Sequence, residues 1–157
     1  MYSHDDDQAF RGTRPKPRDI VVRACYDSEA EFAKLMANTP REELSASILE
    51  DYSLELSLLI SPTSVLRYFT PALMRIGSDI ASSLDLQLSI LRLYVPHYDD
   101  SDTVTTSEHE FKLKEGFTSG EKSVIAQWLI ELSPRKEFQF ELQDIELAIN
   151  RIWNSQD

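Results

Sequence analysis

The stretch LLISPTSVLRYFTPALM, residues 58–74, is the most apolar in the chain, and it carries two prolines nine residues apart. Proline inside a helix removes a backbone hydrogen bond and clashes with the preceding turn, but at the first helical position its missing N–H has no partner to lose. Ser61-Pro62 and Thr70-Pro71 both have the form of a helix start. The stretch therefore predicts two helices separated by a break or sharp kink. Val65, Leu66 and Phe69 form the apolar face of the first, and Ala72, Leu73, Ile76 and Ile80 point inward from the second. The prolines mark architecture rather than chemistry.

The same punctuation recurs along the chain. DSEAEFAKLMAN has Ser28 and Glu31 at capping-box spacing, with Phe32, Leu35 and Met36 on one face. TPREELSASILE offers Thr39 as N-cap, Pro40 at the first position and Glu42 reaching back, with Leu44 and Ile48 as its stripe. LDLQLSILRLYV reads as a buried helix ending before Pro96. In TSGEKSVIAQWLIEL, Thr118 and Glu121 cap a helix that buries Val124, Ile125, Trp128, Leu129 and Leu132. Ser133-Pro134 opens a last helix through Leu142, Ile145, Ile149, Ile152 and Trp153. DYSLELSLLI is ambiguous: Tyr52, Leu54, Leu56 and Leu58 alternate like a strand, yet no β-rich partner flanks them, so residues 54–60 read as strand or as a lead-in to the next helix. Four glycines leave little room for tight hairpins or phosphate-cradling loops. The expected fold is mainly α: one domain over residues 1–157, a bundle of about six helices. Residues 1–18 form an extended N-terminal strap. Residues 97–116 form a polar acidic loop with room for a small β-hairpin, its only core signals being Phe111 and Leu113.

A chain of 157 residues with 41% hydrophobic and 27% charged residues is built for one globular core, not for disorder. It has no apolar run near the roughly 20 residues a bilayer requires. MYSHDDDQAF is acidic and polar where a secretory signal would be basic and then apolar, and a lone Cys25 permits no internal disulfide. A cytoplasmic protein is expected. The net charge of −11 argues against binding nucleic acid or anionic membranes, since both need clustered Lys and Arg. It fits either a basic protein partner or simple solubility. The exception is RGTRPKPRDIVVR, residues 11–23, with five basic residues and one acidic one. Its prolines hold it extended, either folded back on the acidic surface or as a binding arm.

Catalytic and metal-binding templates run short. Cys25 follows an apolar run and reads as a small buried hydrophobe rather than a nucleophile. His4, His97 and His109 lack zinc spacing. An EF-hand register from Asp100 puts Val104, Thr105 and Phe111 where a ligand, a glycine and the bidentate Glu belong. A looser metal set from His97, Asp99, Asp102, Glu108 and His109 competes with a solvated acidic loop, and the expectation is no metal and no cofactor. No P-loop, dinucleotide fingerprint or nucleophile elbow occurs. Arg67, Tyr68, Phe69 and Arg75 combine cations with aromatics, either as packed stems with wet heads or as the lining of a pocket.

The order L-I-S-P…L-R-Y-F-T-P-A-L-M resembles the signature L-[ST]-P-x-x-[FL]-x-Y-[YF]-x-P-A-x-[LM] of a bacterial family described only as a domain of unknown function. AFRGTRPKPRDIV, ACYDSEAEFAKLM and FTSGEKSVIAQWLIEL are similar, in order, to further segments of that family, and DIELAINRIW to its closing helix. The chain departs from it in the register of the first proline and in lacking a tryptophan in the helix before the signature. The resemblance implies a small, mostly helical, cytoplasmic bacterial domain with no established activity to carry over.

The functional expectation is a non-enzymatic, acidic protein-binding module, of the immunity type that covers a basic toxin, with no nucleic-acid or membrane partner. Asp99, Asp100, Asp102, Glu108 and Glu110 are the expected contact residues. The rival classes are an enzyme of unrecognised type with a pocket at Arg67, Tyr68 and Arg75, and a cytoplasmic regulator or scaffold. Oligomeric state is not written in the sequence.

Overall fold

The computed structural model describes residues 9–10, 26–60, 62–98 and 103–154. Outside them lie Cys25, Ser61, residues 99–102 and the expected strap apart from Ala9 and Phe10. All regular structure among the described residues is helical, so the mainly α expectation holds. Six α-helices of seven residues or more run in order: α1 (Asp27–Asn38), α2 (Thr63–Ser78), α3 (Leu84–Tyr94), α4 (Thr103–Gly116), α5 (Ser119–Leu132) and α6 (Leu142–Ala148). They enclose one core.

Helix α1 begins one residue before Ser28, with extended Tyr26 as its N-cap and no side-chain cap. The expected Ser28–Glu31 box is thus inside the helix, and Asp27 and Glu29 instead place negative charge on the N-terminal dipole. Thr39, expected to open the next helix, closes this one: its Oγ1 donates to Leu35 O at 2.7 Å, beside Asn38 Nδ2 to Lys34 O at 2.8 Å. The Thr39 bond serves Leu35 O, one of the carbonyls the helix end leaves free. Only short elements separate α1 from α2: a 3₁₀ turn Arg41–Glu43, a single helical turn Ala46–Leu49 capped by Ser45, and 3₁₀ segments Glu50–Tyr52 and Glu55–Ile60. Residues 54–60 are neither strand nor α-helix. Leu56 and Leu59 are buried and Leu54 is 88% exposed, which is the three-residue period of a 3₁₀ turn. Leu49 takes the core position expected of Ile48, which is only half-buried.

Helix α2 runs unbroken through Pro71, contrary to the expected pair of helices. A mid-helix proline costs about 3 kcal/mol, while burying one large apolar side chain contributes about 1.5–3 kcal/mol. Val65, Leu66, Phe69, Leu73 and Met74 are all fully buried on this helix, so packing outweighs the lost bond. Thr70 bonds locally, its Oγ1 donating to Leu66 O at 2.7 Å. The helix ends at Ser78, which leaves Ile80 in the following turn and 81% exposed rather than inward.

Ser83 caps α3, which packs on α2 and buries Leu86, Ile90, Leu91, Leu93 and Tyr94. Tyr94 is the hub of the aromatic core. Its ring meets Trp128 edge-on at 5.4 Å and lies 6.2 Å from Trp153, its O–H donates to Thr70 Oγ1, and its carbonyl accepts from Trp153 Nε1 at 3.0 Å.

The segment expected as an acidic loop or hairpin is helical from Thr103 onward. It has no apolar stripe and is held at points. Leu113 is buried, His109 Nε2 bonds Leu93 O at 2.9 Å, and Thr106 Oγ1 donates to His97 O at 2.9 Å. Gly116 passes so close to α2 that a Cβ there would lie 2.1 Å from Thr63 Cγ2. Phe111, expected inward, is 65% exposed. The readable signal was Glu108–Lys112 and Glu110–Lys114, two i,i+4 pairs in the favourable order.

Helix α5 carries the predicted capping box, with Glu121 N donating to Thr118 Oγ1 and Thr118 N to Glu121 Oε1 at 2.7 Å. Ser133-Pro134 does not open the last helix directly. Arg135 is extended, a 3₁₀ segment Lys136–Glu141 intervenes, and α6 then passes into a π turn Ile149–Trp153.

Candidate functional site

The six described arginines all donate to the protein itself. Arg41 holds Phe10 O and Tyr68 O, with its guanidinium 5.1 Å from the Tyr68 ring centre. Arg75 donates to Leu44 O at 2.9 Å and Arg135 to Ser78 O at 2.8 Å. Arg67 Nε reaches Glu121 Oε2 at 2.6 Å, Arg92 reaches Asp144 Oδ2 at 2.9 Å, and Arg151 grips both oxygens of Glu110 at 2.7 and 3.2 Å. These bonds clip together elements 27 to 57 residues apart wherever the acceptor is a distant carbonyl or carboxylate. The exposed carboxylates have no such duty in bulk: Glu42, Glu43, Asp51, Asp85, Glu108, Glu115, Glu137 and Glu146 face solvent.

Of the expected contact residues, Asp99, Asp100 and Asp102 lie outside the described residues. Glu108 is exposed on α4. Glu110 is turned inward instead, held by Arg151 and accepting from Tyr98 O–H at 3.4 Å, while Arg151 also lies over the Tyr98 ring. Burial and the Glu110 carboxylate push the Tyr98 hydroxyl pKa well up. Beside Glu108, at helical spacing, Val104, Phe111 and Glu115 share an outward face, with Val104 68% and Phe111 65% exposed.

Arg67, Tyr68 and Arg75 do not converge on one cleft. Arg67 goes to the start of α5, Tyr68 is buried beneath Arg41, and Arg75 stands on the rim of a groove of about 730 Å³ between α2 and α5. The groove floor is Met74, Val124, Trp128 and Leu132, and neither Arg67 nor Tyr68 lines it. Its inner polar groups are mutually satisfied, since Trp128 Nε1 donates to Ser78 Oγ at 2.6 Å and Ser78 Oγ to Met74 O.

A second cleft, of about 560 Å³, opens between the Glu55–Ile60 segment, α3 and the residue that precedes α6. Leu54, Leu56 and Leu88 wall it, and Ser57, Ser89, Arg92, His97 and Glu141 supply its polar groups. The Oε2 atom of Glu141 is itself closed to solvent and has no hydrogen-bond partner among the described residues. Phe140, next in the chain, is 99% exposed. Sequence reasoning missed this cleft. KEFQFE does carry two phenylalanines at strand-like spacing, of which only Phe138 is buried.

Among the described residues no three His, Cys, Asp or Glu side chains gather as a metal site. His97 is exposed, Glu108 points outward, and His109 is spent on the α3 carbonyl, with burial lowering its pKa. No described helix is long and apolar enough to cross a membrane. Comparison with protein-family models, curated proteins and solved structures returned no match to this chain.

Proposed function

We propose that the chain is a non-enzymatic, cytoplasmic protein-binding module that recognises a basic protein, of the immunity type that neutralises a toxin by covering it. The observation that supports this reading is the disposition of charge. All six described arginines are engaged by the fold while Glu42, Glu43, Asp51, Asp85, Glu108, Glu115, Glu137 and Glu146 stay exposed, and an acidic exterior of that kind accelerates encounter with a positive surface. The outward face of α4, with Phe111 and Val104 set between Glu108 and Glu115, has the make-up of an interaction patch: an aromatic anchor rimmed by charge. The signature residues Tyr68, Phe69, Pro71 and Ala72 are all buried, which supports reading the family resemblance as shared packing rather than a shared site.

The test begins with the tagged protein as bait in its native host, washed at low and high salt, with the retained protein identified and purified. A basic protein whose affinity falls as salt rises, and falls further with Asp99, Asp100 and Asp102 or Glu108 and Glu115 reversed to Lys, supports the reading. A neutral or acidic partner, or an affinity indifferent to salt and to both reversals, overturns it. If the partner is a nuclease, stoichiometric inhibition of its activity completes the immunity assignment.

A further inference from the structure

Two apolar side chains that the core leaves outside stand together. Tyr26, the N-cap of α1, is 73% exposed, and Leu54, at the entry to the Glu55–Ile60 segment, is 88% exposed. With Leu58 they line one cleft of about 290 Å³. Apolar residues scattered singly over a surface call for no explanation, but a shared apolar cleft does. The elements that carry it are seated on the core: α1 packs on the Glu55–Ile60 segment, the Phe32 ring lies 5.5 Å from that of Tyr52, and Leu56 and Leu59 are buried beneath. The apolar pair is thus held in a fixed arrangement, which lowers the ordering cost of covering it. Charge selects what covers it. Glu29 and Glu55 line the same cleft, both half-buried, and neither has a cation within ion-pair distance among the described residues. Residues 26–33 and 46–60, which build this corner, contain six carboxylates and no Lys, Arg or His. A second copy of the chain, or an acidic partner, would bring like charge to like. A basic partner brings opposite charge to carboxylates that no internal cation has taken, beside apolar area that gains from being covered.

We infer that this corner is a docking face for a basic protein, with Tyr26 and Leu54 as its apolar anchors and Glu29 and Glu55 meeting arginine or lysine side chains of the partner. This rests on the proposal that the partner is a basic protein, and it assigns a face other than α4 and the acidic run at 99–102.

The test is an NMR titration of the full chain with the peptide Ac-Arg-Leu-Arg-Phe-Arg-amide and two controls, one with Glu for each Arg and one with Ser for Leu and Phe. The first peptide should give saturable shifts at residues 26, 29, 54–55 and 58, and each control should bind at least about tenfold more weakly. Tyr26→Ser with Leu54→Ser, both outside the core, should weaken the first peptide by a similar factor, and serine at the N-cap keeps α1 started. Glu29→Gln with Glu55→Gln should weaken it at low salt and flatten its salt dependence. Glu108→Lys with Glu115→Lys, on α4, should leave the same residues shifting. Equal binding by all three peptides, or shifts that survive both pairs of corner variants, overturn the inference. Shifts confined to residues 104–115 overturn it and leave a basic partner on α4 standing. Self-association that Leu54→Ser abolishes also overturns it, by making a second copy the occupant. A basic partner captured equally by wild type and by the Tyr26→Ser, Leu54→Ser variant would overturn this inference alone.

Discussion

Glu121 is fully buried at the start of α5 and serves two donors with its two oxygens. Oε1 accepts from Thr118 N at 2.7 Å to close the capping box, and Oε2 accepts from Arg67 Nε at 2.6 Å to tie α5 to α2. Glutamine keeps the shape but has one acceptor oxygen, so its amide N–H₂ must face one of the two donors. A hydrogen bond to a charged group contributes about 1.5–3 kcal/mol when sheltered. Arg67 is 39% exposed, and solvent screening reduces that to roughly 1–2 kcal/mol for Glu121→Gln. Glu121→Ala also removes the box, for about 0.5–2 kcal/mol more, and leaves a cavity, giving a total of about 3–4 kcal/mol. Thr118→Ala isolates the cap at about 1 kcal/mol. Arg67→Met keeps the apolar stem, and paired with Glu121→Gln it should show a coupling of about 1–2 kcal/mol. Urea unfolding followed by circular dichroism resolves these differences, each kcal/mol moving Tm by roughly 2–4 °C in a chain of this size. If Glu121→Gln is silent and the cycle shows no coupling, Arg67 is solvated in solution. The claim that the arginines are consumed by the fold then fails at the pair whose carboxylate is fully buried.

Two further outcomes concern buried polar groups. Thr70 Oγ1 both donates to Leu66 O and accepts from the Tyr94 hydroxyl, whose pKa burial raises. Thr70→Val should therefore destabilise by about 1–3 kcal/mol by orphaning that hydroxyl, Tyr94→Phe by about 0.5–1.5 kcal/mol, and the double variant by less than their sum in the same unfolding assay. His109 is held by burial below its ordinary pKa, so the unfolded chain takes up the proton first as pH falls. Its contribution to stability is complete above about pH 6.5. It declines below that, by at most about 1.4 kcal/mol per pH unit, until the folded pKa is passed. Denaturation midpoints measured from pH 7.5 to 5 should show the decline in wild type and a shallower one in His109→Gln. A slope of the opposite sign would contradict the burial of the ring.

The features legible in the sequence are those decided by a few neighbouring residues. Thr118 and Glu121 form their box because donor and acceptor are three residues apart, and Ser83 caps α3 for the same local reason. Ser28 and Glu31 have the same spacing, yet α1 starts earlier, because the spacing states that a cap is possible and not that the chain extends just before it. At Pro71 the local rule is correct about the cost and blind to the compensation, which comes from α3 and the other elements packed around α2. Helix α4 could not be read from an apolar stripe for the opposite reason: its outer face is partly apolar and its inner face largely polar, so periodicity vanishes and only its i,i+4 charge pairs mark it. Composition also cannot say which of two phenylalanines turns inward. Phe138 is buried and Phe140 is not.

The acidic residues were visible, but their roles depended on where the arginines went. Glu108 and Glu110 are two residues apart and look equivalent in the sequence. Arg151, 41 residues later, takes Glu110 out of the surface and leaves Glu108 in it. Charge that remains outside acts over a screening length of about 8 Å at physiological salt, which favours any basic surface and distinguishes few. Selectivity must then come from groups that are specific and incompletely satisfied at short range.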